Sequence, residues 1–218
     1  YSSDANSITP EVLICYQQGA KVSTTAQLGI VSNVGSCLDV EGVPAVSVEY
    51  YSGGVLYHRA LKDGVLLGGE TLNVGDVIRV GVDKYDEISA LQYIYSVSDG
   101  ISDTVAFHSG VANSAIDANG RFMMFKAHVY KKENNFVFVA READILANLG
   151  HSMALKDMAA YDTASTSIIV YDPKRREKVS VGGIWDLKET NGADTGDMII
   201  VHTYNSAAKT IYVMKQGD

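Results

Sequence analysis

Two cysteines, five histidines and scattered carboxylates are the residues of this chain whose types could do chemistry. A thiol becomes a nucleophile when a base stands beside it in an electropositive, partly open setting. Cys37 precedes a turn and His58 lies on a nearby expected strand, so a Cys37–His58 pair is geometrically open. Against it, "LICY" around Cys15 is strongly apolar, and free cysteine is among the most buried residue types. Core thiols are the first reading, and a Cys15–Cys37 disulfide is the second if the compartment is oxidising. His58, His108, His128, His151 and His202 form no H-x-H or H-E-x-x-H pair, the spacing that converges two imidazoles on one metal ion. The expectation is no catalytic residue, no metal site and no cofactor.

The remaining polar clusters each have a plain reading beside a functional one. Asp83, Asp86 and Glu87 in "DKYDE", or Asp99 and Asp103 in "SDGISD", could take calcium weakly. Neither follows the D-x-[DN]-x-[DN]-G loop, so solvated turn residues are expected. "PKRREK" (173–178) could hold an anionic polymer, or simply be a soluble hairpin tip, since no aromatic interleaves its charges. Tyr50 and Tyr51 must face opposite sides of a strand, which predicts one of them outside. That tyrosine, or the lone Trp185, could stack on a sugar; a strand tyrosine at the edge of a core is the alternative.

Bulk composition narrows the classes. The 218 residues can bury one large core or two small ones. The formal net charge of -8 disfavours phosphate backbones and anionic lipid, so neither nucleic acid nor membrane insertion is expected. The chain starts at Tyr1, with no basic start and apolar stretch near it, and reads as a processed chain or a segment of something longer.

The elements that must position these residues are mostly strands. Thirteen tyrosines, twenty glycines and only three prolines accompany Val, Ile and Thr throughout. "EVLICYQQ" (11–18) reads as a short strand, and 28–38 and 44–51 are joined by the turn "DVEGVP". Ser52-Gly53-Gly54 predicts a hairpin turn with positive φ before "VLYHRAL". Later come a hairpin over 121–140, a hairpin around "DPKRRE", and a single helical turn at "GIWDLKE". "READILANLG" is the one helix expected, with Ile145, Leu146 and Leu149 at helical spacing and Gly150 as its C-cap.

One phrase occurs twice. "GDVIRVGVDKYDEISALQYI" (75–94) aligns with "GDMIIVHTYNSAAKTIYVM" (196–214), matching Gly75 to Gly196, Asp76 to Asp197, Ile78 to Ile199 and Val80 to Val201. A one-residue gap then sets Leu91 opposite Ile211 and Ile94 opposite Met214. A two-strand ribbon cannot bury an apolar face alone, so each copy needs the strands before it. The expected architecture is mostly β: two tandem small barrel-like or sandwich-like units with one short helix, a single larger sandwich being the alternative. The division is 1–27 as a leading strand or the end of a preceding unit, 28–95 as unit one, 96–120 as connector and 121–218 as unit two.

"GDVIRVGVDKYDEISALQYI", "VSVGGIWDLK" (179–188) and "GDMIIVHTYNSAAKTIYVMK" (196–215) resemble the small repeated β modules of S-layer-homology-type surface proteins of Gram-positive bacteria. The resemblance covers roughly 28–95 and 121–215, and no anchoring motif occurs in these residues. It implies a non-enzymatic extracellular spacer or adhesion-type module whose partners are cell-wall or glycan polymers or other surface proteins. The alternative is a carbohydrate-binding module using Tyr50, Tyr51 or Trp185.

Overall fold

The computed structural model describes residues 27–66, 71–101, 106–107 and 122–215. The expected strand at 11–18, Cys15, His108, Asp103 and most of the 96–120 connector lie outside them.

The first sheet is built from β1 (Gln27–Leu38), β2 (Pro44–Ser52), β3 (Val55–Leu61), β4 (Val77–Val82), β5 (Ile88–Ser96) and the short β6 (Gly100–Ile101). Gly53 and Gly54, at φ +57° and +84°, form the two-residue turn between β2 and β3. Strands run in the order β3-β2-β1-β4-β5-β6. A parallel pairing of β3 with β5 at Leu61 and Ile88 closes the first five into a barrel. This is the Greek-key connectivity of an OB-type barrel. Its interior holds Val31, Val48, Tyr50, Ile78, Val80 and Ile88, all fully buried.

The second sheet comprises β7 (Ala106–Phe107), β8 (Phe122–Glu133), β9 (Phe136–Ala140), β10 (Ala159–Asp162), β11 (Ser167–Tyr171), β12 (Val179–Gly182), β13 (Met198–Tyr204) and β14 (Ala207–Met214). Its order is β10-β9-β8-β13-β14-β11-β12, with β7 beside β8. Reading β8, β9, β13 and β14 as β1, β2, β4 and β5 reproduces the first sheet. The third strand is the difference. β10 pairs antiparallel with β9, and β11 pairs parallel with β14, so the two share the role that β3 performs alone. The break is the turn 163–166, where Thr166 Oγ1 donates to the Ala208 carbonyl at 3.0 Å.

Equivalence extends to irregularities. β1 bulges at Ser32, between Val31 and Asn33, and β8 bulges at Tyr130, between Val129 and Lys131. Val80 pairs with Leu91 and Val201 with Ile211, in the register expected from the repeat. The expected match of Ile94 with Met214 is corrected to Tyr95: Val77 faces Tyr95 while Met198 faces Met214, because a bulge between Val77 and Ile78 takes up one residue. Val80 and Val201 point into separate cores, which removes the single-sandwich alternative.

A third core was not foreseen. Leu28, Ile30, Val77 and Ile94 of the first unit pack with Met198, Ile200, Tyr212 and Met214 of the second. Alternation explains it: Ile78 and Val80 face their own barrel, so Val77 faces out. In the second unit Ile199 and Val201 face in, and Met198 and Ile200 face out toward the first. Helix α1 spans Glu142–Ala147 and is capped by Asn148, not Gly150, which sits at φ +80° two residues further on. Ile145 is buried, whereas Leu146 is half exposed, off the core face that its spacing suggested. Ile184–Asp186 form the expected single turn, of 3-10 type.

Candidate functional site

The repeated Gly-Asp pairs close each unit. Gly75 and Gly196 lie at φ +101° and +71°, a region that favours glycine. Asp76 and Asp197 are buried. The Asp76 carboxylate accepts the backbone N–H of Asn73 at 2.7 Å, and Asp197 accepts that of Lys188 at 2.6 Å. Each aspartate returns its own N–H to the same residue's carbonyl, and each carbonyl accepts the N–H just before the bulge, from Val31 or Val129. Leu72 and Leu187, one residue before those donors, plug the two cores.

The aromatic residues fall differently from expectation. Tyr50 is fully buried and offers no surface platform; burial pushes its phenol up to about 12, against the nearby Arg59 charge. It donates to Gln27 Oε1 at 2.8 Å and stacks on Tyr57 at 5.5 Å between centroids. Arg59, itself buried, donates to both Tyr50 and Asp86. Tyr51 is half-buried against the shared core. Trp185 is 78% exposed, its ring lying over Gly183. Of the expected aromatic trio, only Trp185 presents an open ring.

The other candidates resolve into structure. Cys37 carries a free thiol on β1 opposite Ala45, whereas His58 stands opposite Glu49. Four residues of strand separate those rows, about 13 Å, so no Cys–His pair forms. Asp83 caps its own turn by accepting the N–H groups of Tyr85 and Glu87, and pairs with Lys62 at 2.6 Å. Glu87 accepts the Val40 N–H at 2.8 Å, tying the 39–43 and 83–87 loops together. His128 is buried with Nδ1 3.4 Å from the Gly196 carbonyl, and burial lowers its pKa; burial takes His202 down to about 4. At the basic tip, Arg175 pairs with Asp172 at 3.2 Å.

What the second unit adds to the shared scaffold converges on one place. Between its second and third strands, 141–158 replaces the Gly53-Gly54 turn. Between the Leu-plug and the Gly-Asp pair, 189–195 is an insertion. These segments meet over the β8 bulge and enclose a cleft of about 350 Å³. Ile145 and Leu149 line it with Tyr130, and around them stand Asn148, His151, Ser152, Glu189 and Thr190. The bulge turns Tyr130 out of the ladder. Its oxygen accepts the Met153 N–H at 3.1 Å, leaving the phenolic proton to donate. Asn148 donates Nδ2 to the Asp144 carbonyl at 2.8 Å, and Glu189 accepts the Lys132 N–H. Sequence reading missed this cleft because no motif marks it. The available signal was the difference in length between the two copies.

Among the described residues no group of histidine, cysteine and carboxylate side chains is arranged to hold a metal ion, and no helix is long and apolar enough to cross a membrane. No family model, no curated protein and no solved structure matches this chain.

Proposed function

We propose that this chain is a non-enzymatic extracellular structural or interaction module, a spacer or adhesion-type segment of a larger surface protein. The observation that carries the reading is the shared core, in which Ile30, Val77, Ile200 and Tyr212 are all fully buried between the two units. Domains joined by a large apolar interface move as one body, unlike those joined by a small polar one. A stiff two-unit block is what a spacer requires. The extracellular placement rests on the resemblance to S-layer-homology-type repeat modules. The adjacent loops 39–43 and 83–87 of the first barrel, carrying Asp39, Glu41, Asp83, Asp86 and Glu87, support partners other than nucleic acid.

Surface biotinylation of intact source cells, with recovery of peptides from this segment, tests the reading. Labelling only after lysis would overturn the placement. The exposed Trp185 ring favours a second reading, carbohydrate binding at that side chain. Glycan-array binding that disappears in Trp185→Ala would establish it.

A further inference from the structure

We propose that the cleft over the β8 bulge is a binding site for a neutral, hydroxyl-rich ligand, a short saccharide. The first argument is comparative within the molecule. Two copies of one scaffold preserve the buried Gly-Asp closure, the bulge and the leucine plug, so those features serve folding. The segments 141–158 and 189–195 have no counterpart in the first unit, are separated by about thirty residues of chain, and still meet at one cleft. Where the first unit places Ser32 at the bulge, the second places Tyr130.

The second argument is the chemistry of the lining. The charged groups of the lining are Lys131, paired with Glu133 at 3.1 Å, and the Glu189 carboxylate, which accepts the Lys132 backbone N–H. An anionic ligand would face that carboxylate and compete with Glu133 for Lys131. Hydrogen-bonding capacity remains on the Tyr130 proton, Asn148 Oδ1, and the exposed side chains of His151 and Ser152, which have no protein partner among the described residues. These groups share the cleft lining with the apolar side chains of Ile145 and Leu149. A sugar presents the complement, with hydroxyls at its edge and C–H groups on its face. At about 350 Å³ the cleft lies at the small end of ligand sites, which run from roughly 300 to 1,000 Å³.

This site is separate from Trp185 and rests on the interaction-module reading only for its biological setting. The test is an amide-resolved NMR titration of the whole chain with neutral oligosaccharides, an N-acetylglucosamine trimer and maltotriose, and with their anionic counterpart, a galacturonic acid trimer. The expected result is that a neutral sugar at millimolar concentration shifts the amides of Tyr130, Asn148–Ser152 and Glu189–Gly192. Binding should weaken at least tenfold in Tyr130→Phe combined with His151→Ala. The unchanged amide pattern of that double variant elsewhere shows that it is folded. No shift at those amides with either neutral sugar, a preference for the anionic trimer, or shifts confined to the surroundings of Trp185 would overturn the proposal. The last outcome would leave the module reading intact.

Discussion

The ammonium of Lys215, half-buried, is bound to the buried carboxylate of Asp197 at the closing turn of the second unit. The equivalent carboxylate in the first unit, Asp76, receives the backbone N–H groups of Asn73 and Val97 at 2.7 and 2.8 Å. Register sets Ser96 where the second unit has Lys215, and among the described residues Asp76 forms no ion pair. One closure has therefore been solved with a cation and the other without.

Removing that cation should be costly. Lys215→Met leaves Asp197 charged, buried and without its partner, for which a loss of about 3–5 kcal/mol is expected. Urea unfolding checks it. A loss below 1 kcal/mol would mean that the N–H of Lys188 alone suffices for Asp197.

Acidity should act on Asp76 with an unfamiliar sign. Burial raises its pKa above the ordinary 3.8, partly offset by the donors from Val97 and Asn73. The folded state then holds the proton more tightly than the unfolded chain, so this group's contribution to stability grows as pH falls through the window just above 3.8 and shrinks as pH rises through it. Asp194, held down by the Lys188 ammonium, works in the opposite direction. The difference in unfolding free energy between the parent and Asp76→Asn isolates the effect. It should shift in favour of the parent between pH 6 and pH 4, and a flat difference would refute the assignment.

The two turn glycines should differ in tolerance. A Cβ on Gly196 would lie 2.2 Å from the Val129 carbonyl, which is backbone, whereas one on Gly75 would meet the ring of Tyr171 at 2.5 Å. Both also require positive φ, worth about 1 kcal/mol or more against any other residue. Gly196→Ala should destabilise more than Gly75→Ala, because a ring can swing aside and a strand cannot. Thermal melts of the two variants rank them directly.

The shared core predicts joint unfolding. Far-UV circular dichroism and alkylation of Cys37, read by its own peptide in denaturant, should report one midpoint for both units. Ile200→Asp places a charge between the units and should separate the two transitions. Ile199→Ala, inside the second unit's own core, should cost about 2–5 kcal/mol without separating them.

Much of this fold was legible from local rules. Alternation located β1 to β5, β8, β9 and β11 to β14, but not the short β10, and Gly53-Gly54 announced its turn. The Gly-Asp phrase exposed the duplication because it makes the same turn with the same backbone bonds each time. The shared core stayed hidden for a physical reason. A strand buried on both faces loses its alternation: "MIIV" at 198–201 is apolar throughout, since Met198 and Ile200 meet the other unit. Tyr50 escaped a correct reading for a related reason, its phenol being satisfied inside by Gln27 and Arg59. The cleft had no local signature, as it joins chain segments far apart in sequence.

The broken third strand of the second unit has a mechanical meaning. In the first unit a single strand, β3, seals the barrel between β2 and β5, so tension on either neighbour passes straight across it. In the second unit that seam is two pieces hinged at 163–166. Stretching the molecule should part β10 from the side of β14 before anything in the first barrel yields, giving the block a built-in weak link at a fixed position.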